Sequence, residues 1–202
     1  MIVEIGGSST KMVRAVFKKA KLDYQIYLYP WARSYETALR KKNTMIYSIL
    51  KTPEREALFK WVCPISQQVK LYLYKLKKRQ DVQINAFEQA KQYTIGVTRN
   101  DFPHIRLKQL GFEDHHLFLS PDDKSNIKML LNSRIDFVVE SADTIKLVLK
   151  QSNHSMDDVF PVMQLAVGQK NANCMAFNLQ TDDKIVNKVR AALKVLLQKQ
   201  SQ

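Results

Sequence analysis

Apolar positions along this chain recur with two periods, one near 3.6 residues and one of 2, which predicts helices and strands in alternation. Met12, Val13, Val16, Phe17 and Ala20 make one helical stripe, with Ser8 or Ser9 available as its cap. Residues 24–29 alternate as a strand. Trp31, Tyr35, Ala38 and Leu39 mark a second helix ending in Arg40-Lys41-Lys42, and 43–49 read as the next strand. Strand, helix and strand in that order predict parallel pairing through a right-handed crossover. Thr52 as a cap, Pro53 at the first helical position and Glu54 near the positive end then predict a short helix. Leu58, Trp61 and Val62 at i, i+3 and i+4 would give it one buried face, and Pro64 would stop it.

Residues 69–76 read as a strand with alternating aromatics, running into the basic cluster Lys75-Leu76-Lys77-Lys78-Arg79, a shift in composition that suits a boundary. A second αβ series follows: helix at 84–90, strand at 93–98, helix at 103–110 closed by Gly111, strand at 117–119, helix at 127–131, strand at 135–140 and helix at 144–150. Residues 159–167 and 175–179 read as extended, and 183–199 as a long amphipathic helix. The whole is an α/β chain without repeats or low-complexity tracts.

Length and composition narrow the classes. The 202 residues suffice for one large domain or two small ones, and 45% hydrophobic with 25% charged residues is ordinary for a globular protein. No apolar run reaches the length of a membrane span, and no charged-then-apolar leader is visible at the start. The net charge of +13 raises the question of nucleic acid. Neither a zinc-finger spacing nor an aromatic ribonucleoprotein motif accompanies the basic cluster, so nucleic acid is not expected as a partner. The charge is read instead as solubility, attraction of anionic solutes, or contact with an anionic membrane surface. Two cysteines, Cys63 and Cys174, are too few for a disulfide scaffold and are expected as free, buried thiols, with pairing the alternative in an oxidising compartment.

Catalytic signatures are absent: no Gly-rich phosphate loop, HExxH, CxxC or G-x-S-x-G elbow is present. Asp114-His115-His116 reads as a solvated loop rather than a metal site, because adjacent side chains rarely converge on one ion. Asp122 and Asp123 open a helix, where the dipole accounts for them. No cofactor, metal or catalytic residue is therefore expected. Arg55 stands out, because a cation in a first helical turn opposes the dipole. It is either a surface residue near Glu54 or Glu56, or a guanidinium that receives a carboxylate.

The ordered motifs Tyr29-Pro30-Trp31-Ala32-Arg33, Ser48-Ile49-Leu50-Lys51-Thr52-Pro53-Glu54-Arg55-Glu56 and Trp61-Val62-Cys63-Pro64-Ile65 resemble those of the bacterial extracellular solute-binding proteins of family 3. The resemblance continues through Ile95-Gly96-Val97, Ser133-Arg134-Ile135-Asp136 and Met175-Ala176-Phe177. It implies a two-lobed type 2 periplasmic binding fold, each lobe a sheet flanked by helices, with residues 1–74 and 165–202 in lobe 1 and 75–164 in lobe 2. It also implies that the first strand of lobe 1 is missing, either because the chain is truncated or because residues 1–5 replace it.

Carried over residue by residue, the resemblance implies that Arg55 grips a ligand carboxylate, with Ser48 and the backbone up to Thr52 around it. Trp31 would line the pocket, although core packing explains it as well, and Arg33 lies on the same turn. From the second lobe come Arg99, Asp101, Glu140 and Ser141, where Ser141 stands at the position of the aspartate that relatives place on the ligand ammonium. The implied function is capture of a small polar solute, an amino acid or related carboxylate, by hinge closure in the periplasm, the protein acting as a monomer that delivers to the membrane permease of an ABC transporter. The alternatives are a sensory domain and, through Glu140 as general acid, a cyclohexadienyl dehydratase-like enzyme.

Overall fold

The structure is a computed structural model and describes residues 5–167 and 172–200. The chain divides into two compact units: unit 1 is Met1–Tyr29, Arg33–Val69 and Gln169–Gln202, and unit 2 is Pro30–Ala32 and Lys70–Gly168.

Unit 1 is built on a three-stranded antiparallel sheet in the order β1-β8-β2, from β1 (Met45–Leu50), β2 (Lys60–Val62) and β8 (Asn173–Phe177). The central strand, β8, reads Asn-Cys-Met-Ala-Phe and is buried from Cys174 onward. The helix α1 (Ser8–Ala20) lays Val13, Val16 and Phe17 on this sheet, and α7 (Asp183–Gln200) adds Val186, Val189, Ala192 and Leu193 to the same core. Their apolar stripes are the ones read from the sequence. A third helix, α2 (Trp31–Arg40), buries Ala38, and its last carbonyls are tied down by Asn178, whose amide donates to Ala38 O at 2.9 Å and Leu39 O at 2.7 Å.

Four local expectations fail in unit 1. The cap position of α1 is Gly7 rather than Ser8 or Ser9, so no side chain bonds the start of that helix. Residues 24–29 form no strand: alternation marks a ribbon with two unlike faces, but a ribbon needs a pairing edge, and none of the described strands pairs with it. The parallel crossover goes with it, because β1 pairs antiparallel with β8, a strand remote in sequence. The helix after Thr52 is also shorter than expected. It ends as α3 (Pro53–Glu56), and Lys60–Val62 leaves as β2, with Lys60 opposite Phe177 and Val62 opposite Met175. Three apolar residues fit a helix face or a short strand equally well, and the second edge of β8 decides for the strand.

The cysteines correct a further expectation. With Val62 opposite Met175, the next residues outward are Cys63 and Cys174, and they form a disulfide with Cα atoms 4.6 Å apart. Separated by 111 residues in sequence, they become neighbours only through the β2–β8 register.

Unit 2 is a five-stranded mixed sheet in the order β5-β4-β6-β3-β7. The strands β4 (Ile95–Thr98), β5 (Leu117–Ser120) and β6 (Phe137–Ser141) run parallel, whereas β3 (Leu71–Leu76) pairs antiparallel with β6 and with β7 (Val159–Leu165). The helices α4 (Phe102–Gln109), α5 (Asp123–Leu131) and α6 (Ala142–Gln151) start just beyond the ends of β4, β5 and β6. Each opens on a side-chain cap: Asp101 accepts from Phe102 N–H, Asp122 from Ser125 N–H and Ser141 from Thr144 N–H. The helix expected at 84–90 shrinks to a 3-10 helix at Phe87–Gln92, with Val82 and Ile84 buried ahead of it in irregular chain. The remaining elements lie within a few residues of their expected positions. The idea that residues 1–5 serve as a substitute strand falls, for residues 1–4, outside the described residues.

Candidate functional site

In unit 1, the bend after β1 carries the motif around Arg55. Ser48 adopts φ 60° at a bulge between Tyr47 and Ile49, which releases it from the β1–β8 ladder and leaves its side chain exposed. Thr52 sits at the N-cap of α3 in extended conformation, without a side-chain hydrogen bond to the helix. Three residues on, Arg55 is only 2% exposed, and its guanidinium carbon lies 5.4 Å from the centre of the Tyr35 ring. Tyr35 meets Phe59 edge-on at 5.5 Å and Phe59 meets Trp61 at 5.6 Å, so an aromatic run stands beside the cation. Glu56 is taken by Lys51 at 2.6 Å, and its backbone carbonyl receives the Trp61 indole N–H at 2.9 Å. The reading of Arg55 as a surface residue is therefore set aside. Arg33 is exposed and stacks over Tyr29 at 4.2 Å.

In unit 2, the candidates gather where the parallel strands end, the edge at which open α/β sheets carry their ligands. Thr98 ends β4, Ser120 ends β5, and Glu140 and Ser141 end β6. Arg99 is exposed, and its backbone N–H donates to Ser120 O at 3.0 Å. Asn100 takes the left-handed conformation with φ 61°, which turns the chain into α4 with Asp101 as cap. Trp31 groups with this unit, half-buried, its indole N–H donating to Asn100 O at 3.2 Å. Ser141 is engaged locally, its hydroxyl 2.9 Å from that of Thr144.

Glu140 is 8% exposed and hydrogen-bonded to Asp123. Burial, and then the neighbouring Asp123 carboxyl, hold it well above the usual carboxylate range, while the Ser141 N–H pulls weakly the other way. Asp123 also accepts from the Thr98 hydroxyl, and Thr98 accepts from the Asn126 amide at 3.3 Å. This chain of four was not foreseen. Of the Asp122-Asp123 pair only Asp122 caps the helix, and a second acid in a first turn whose neighbour already caps it was the available signal. Among the described residues, Arg55 and Glu140 are the two buried side chains of the Asp, Glu, Lys, Arg and His types, one in each unit. Asp114–His116 forms an exposed to half-buried 3-10 turn, and among the described residues no group of His, Cys, Asp and Glu is arranged to hold a metal ion.

No protein-family model matches the chain, and no curated protein does. Solved structures do match. The arginine-, lysine-, histidine-binding protein ArtJ from Geobacillus stearothermophilus is 21% identical, with a TM-score of 0.79 over 98% of this chain and 83% of its own. A substrate-binding protein of an amino acid ABC transporter from Streptococcus pneumoniae, bound to L-arginine, is 15% identical, with a TM-score of 0.79 over 97% and 79%. A histidine kinase sensor domain described as similar to periplasmic binding proteins is 14% identical, with a TM-score of 0.81 over 97% and 82%. Two sheets flanked by helices, matched at this level over nearly the whole chain, place it in the periplasmic binding protein fold.

Proposed function

We propose that this chain is an extracytoplasmic receptor that captures a small polar solute, an amino acid or related carboxylate, and hands it to the permease of an ABC transporter. The observation that carries the reading is Arg55: a guanidinium 2% exposed beside Tyr35, on the motif that opens with the Ser48 bulge. A permanently charged, planar donor held in place by packing suits a carboxylate, which it can meet with two parallel hydrogen bonds. The likeness in fold to amino-acid-binding proteins supports the solute class, and the likeness to a sensor domain described as similar to periplasmic binding proteins supports the location.

Isothermal titration against amino acids, short peptides and small organic acids tests the proposal. A carboxylate-bearing solute should bind, and Arg55→Met should lose about 2–5 kcal/mol, some thirtyfold or more in affinity. Absence of binding across the panel, or an Arg55→Met variant that binds as wild type, would overturn it. Single substitutions at Trp31, Arg33, Thr52, Arg99, Asp101 and Ser141 belong to the same titration. Burial favours the neutral form of Glu140, which makes it a weak partner for an ammonium group, so solutes lacking one belong in the panel. Likeness to a histidine kinase sensor domain favours a second reading, a sensory module of the same binding chemistry. A permease gene beside this one would support transport, and a kinase or cyclase gene would support sensing.

A further inference from the structure

The positive charge is not shared evenly. Unit 1 holds 18 of the 32 basic and 7 of the 19 acidic residues, and unit 2 holds 14 and 12, so +11 of the +13 lies in unit 1. Two neighbouring helices carry much of it. The helix α1 has no acidic residue, and Lys11, Lys18 and Lys19 on it are exposed, as is Lys21 just past its end. The helix α7 packs beside α1 on a shared core through Val186, Val189 and Leu193, which leaves Lys184, Lys188 and Lys194 exposed on its other side. Among the described residues, none of these lysines stands in an ion pair.

A second feature adjoins the first. The chain leaving α1 has no regular structure over 22–30, and it exposes Tyr24 by 39%, Tyr27 by 64% and Leu28 by 67%. Among the described residues, Tyr27 and Leu28 are the most exposed of the large hydrophobic side chains. The Tyr24 ring lies 5.0 Å from that of Phe17, so this segment folds back on the end of α1, where Lys18, Lys19 and Lys21 are.

We propose that the lysine face of α1 and α7, with Tyr24, Tyr27 and Leu28 at its margin, docks on a bilayer containing anionic lipid. Mobile ammonium groups spread over two helices suit a diffuse negative surface, where each contributes roughly fivefold in affinity. Tyrosines belong at the headgroup level, and an exposed leucine gains from the acyl boundary behind it. Nucleic acid would answer the charge but not the leucine. This surface is independent of the solute reading, and each stands if the other fails.

Cosedimentation of the full chain with phosphatidylcholine vesicles, with and without phosphatidylglycerol, tests the proposal, with a DNA duplex as a competing arm. Binding is expected only with phosphatidylglycerol and should weaken as salt is raised. The triple variant Lys18→Glu, Lys19→Glu, Lys188→Glu should lose a hundredfold or more, about fivefold for each cation removed. The variant Tyr27→Ser, Leu28→Ser should weaken vesicle binding while leaving any DNA binding unchanged. These side chains are exposed, and matching circular dichroism spectra would confirm that the variants fold. Failure to sediment with phosphatidylglycerol at low salt, sedimentation indifferent to the charge reversal, or DNA binding tighter than vesicle binding and untouched by the tyrosine–leucine change would each overturn the proposal.

Discussion

The Cys63–Cys174 disulfide allows a quantitative test of how the two units unfold. The chain has two cysteines, so oxidised and reduced protein differ in one bond alone. If both units unfold together, the bond closes a loop of 111 residues in the denatured chain, and its removal should cost about 5 kcal/mol by loop-closure entropy. If unit 2 stays folded while unit 1 melts, the loop is shorter. The β3–β7 ladder holds Leu71 opposite Leu165, so the flexible ring is only the chain from Cys63 to Leu71 and from Leu165 to Cys174. A ring on the order of twenty residues is worth about 3 kcal/mol. Urea unfolding followed by tryptophan fluorescence, with and without a phosphine reductant, measures the difference. With a slope of about 1–3 kcal/mol per molar urea, either value shifts the midpoint by roughly 1 M or more. The double variant Cys63→Ala, Cys174→Ala should track the reduced protein. Midpoints agreeing within about 0.3 M would refute the entropic argument, because even the smaller value predicts several times that shift.

Other expectations follow from single sites. The raised pKa of Glu140 means that the folded state holds a proton the unfolded state gives up. Stability from this group is complete below the ordinary glutamate value and declines as pH rises towards the folded one. Glu140→Gln removes that decline, so urea midpoints measured from pH 5 to 9 should be flatter in the variant; parallel profiles would contradict the upward shift. Gly96→Ala would place a methyl 2.5 Å from Ile135 Cδ1 and 3.1 Å from Asn126 Oδ1, and should destabilise by about 1–3 kcal/mol in the same assay. Asn178→Ala would leave the Ala38 and Leu39 carbonyls without their side-chain donor, and should cost about 1–3 kcal/mol in thermal melts.

Periodicity was legible in the chain itself. The stripes of α1 and α7, the helix start at Asp122 and Asp123, and the strands β3 to β6 are local patterns in which side chain and backbone answer to neighbours a few residues away. The ordered motifs from Tyr29 to Phe177 led to the two-sheet fold that the structural likenesses show. Arg55 stood out because its charge is wrong for its position, and a residue that breaks a local rule is visible in sequence. Asp123 did not stand out, since its charge agrees with the helix dipole and hides the hydrogen bond to Glu140.

Pairing was decided only in three dimensions. Residues 24–29 have the alternation of a strand, yet form none among the described residues, whereas the three residues Lys60–Val62 become a strand because β8 offers an edge. That same register brings Cys63 to Cys174, and the end of the sheet brings Asp123 to Glu140, in each case across a distance along the chain that no local pattern spans. Hydrophobic spacing determines which face of a segment seeks burial. Which segment covers that face, and which thiols and carboxyls then become neighbours, depends on contacts between residues far apart in sequence, and these exist only once the chain has folded.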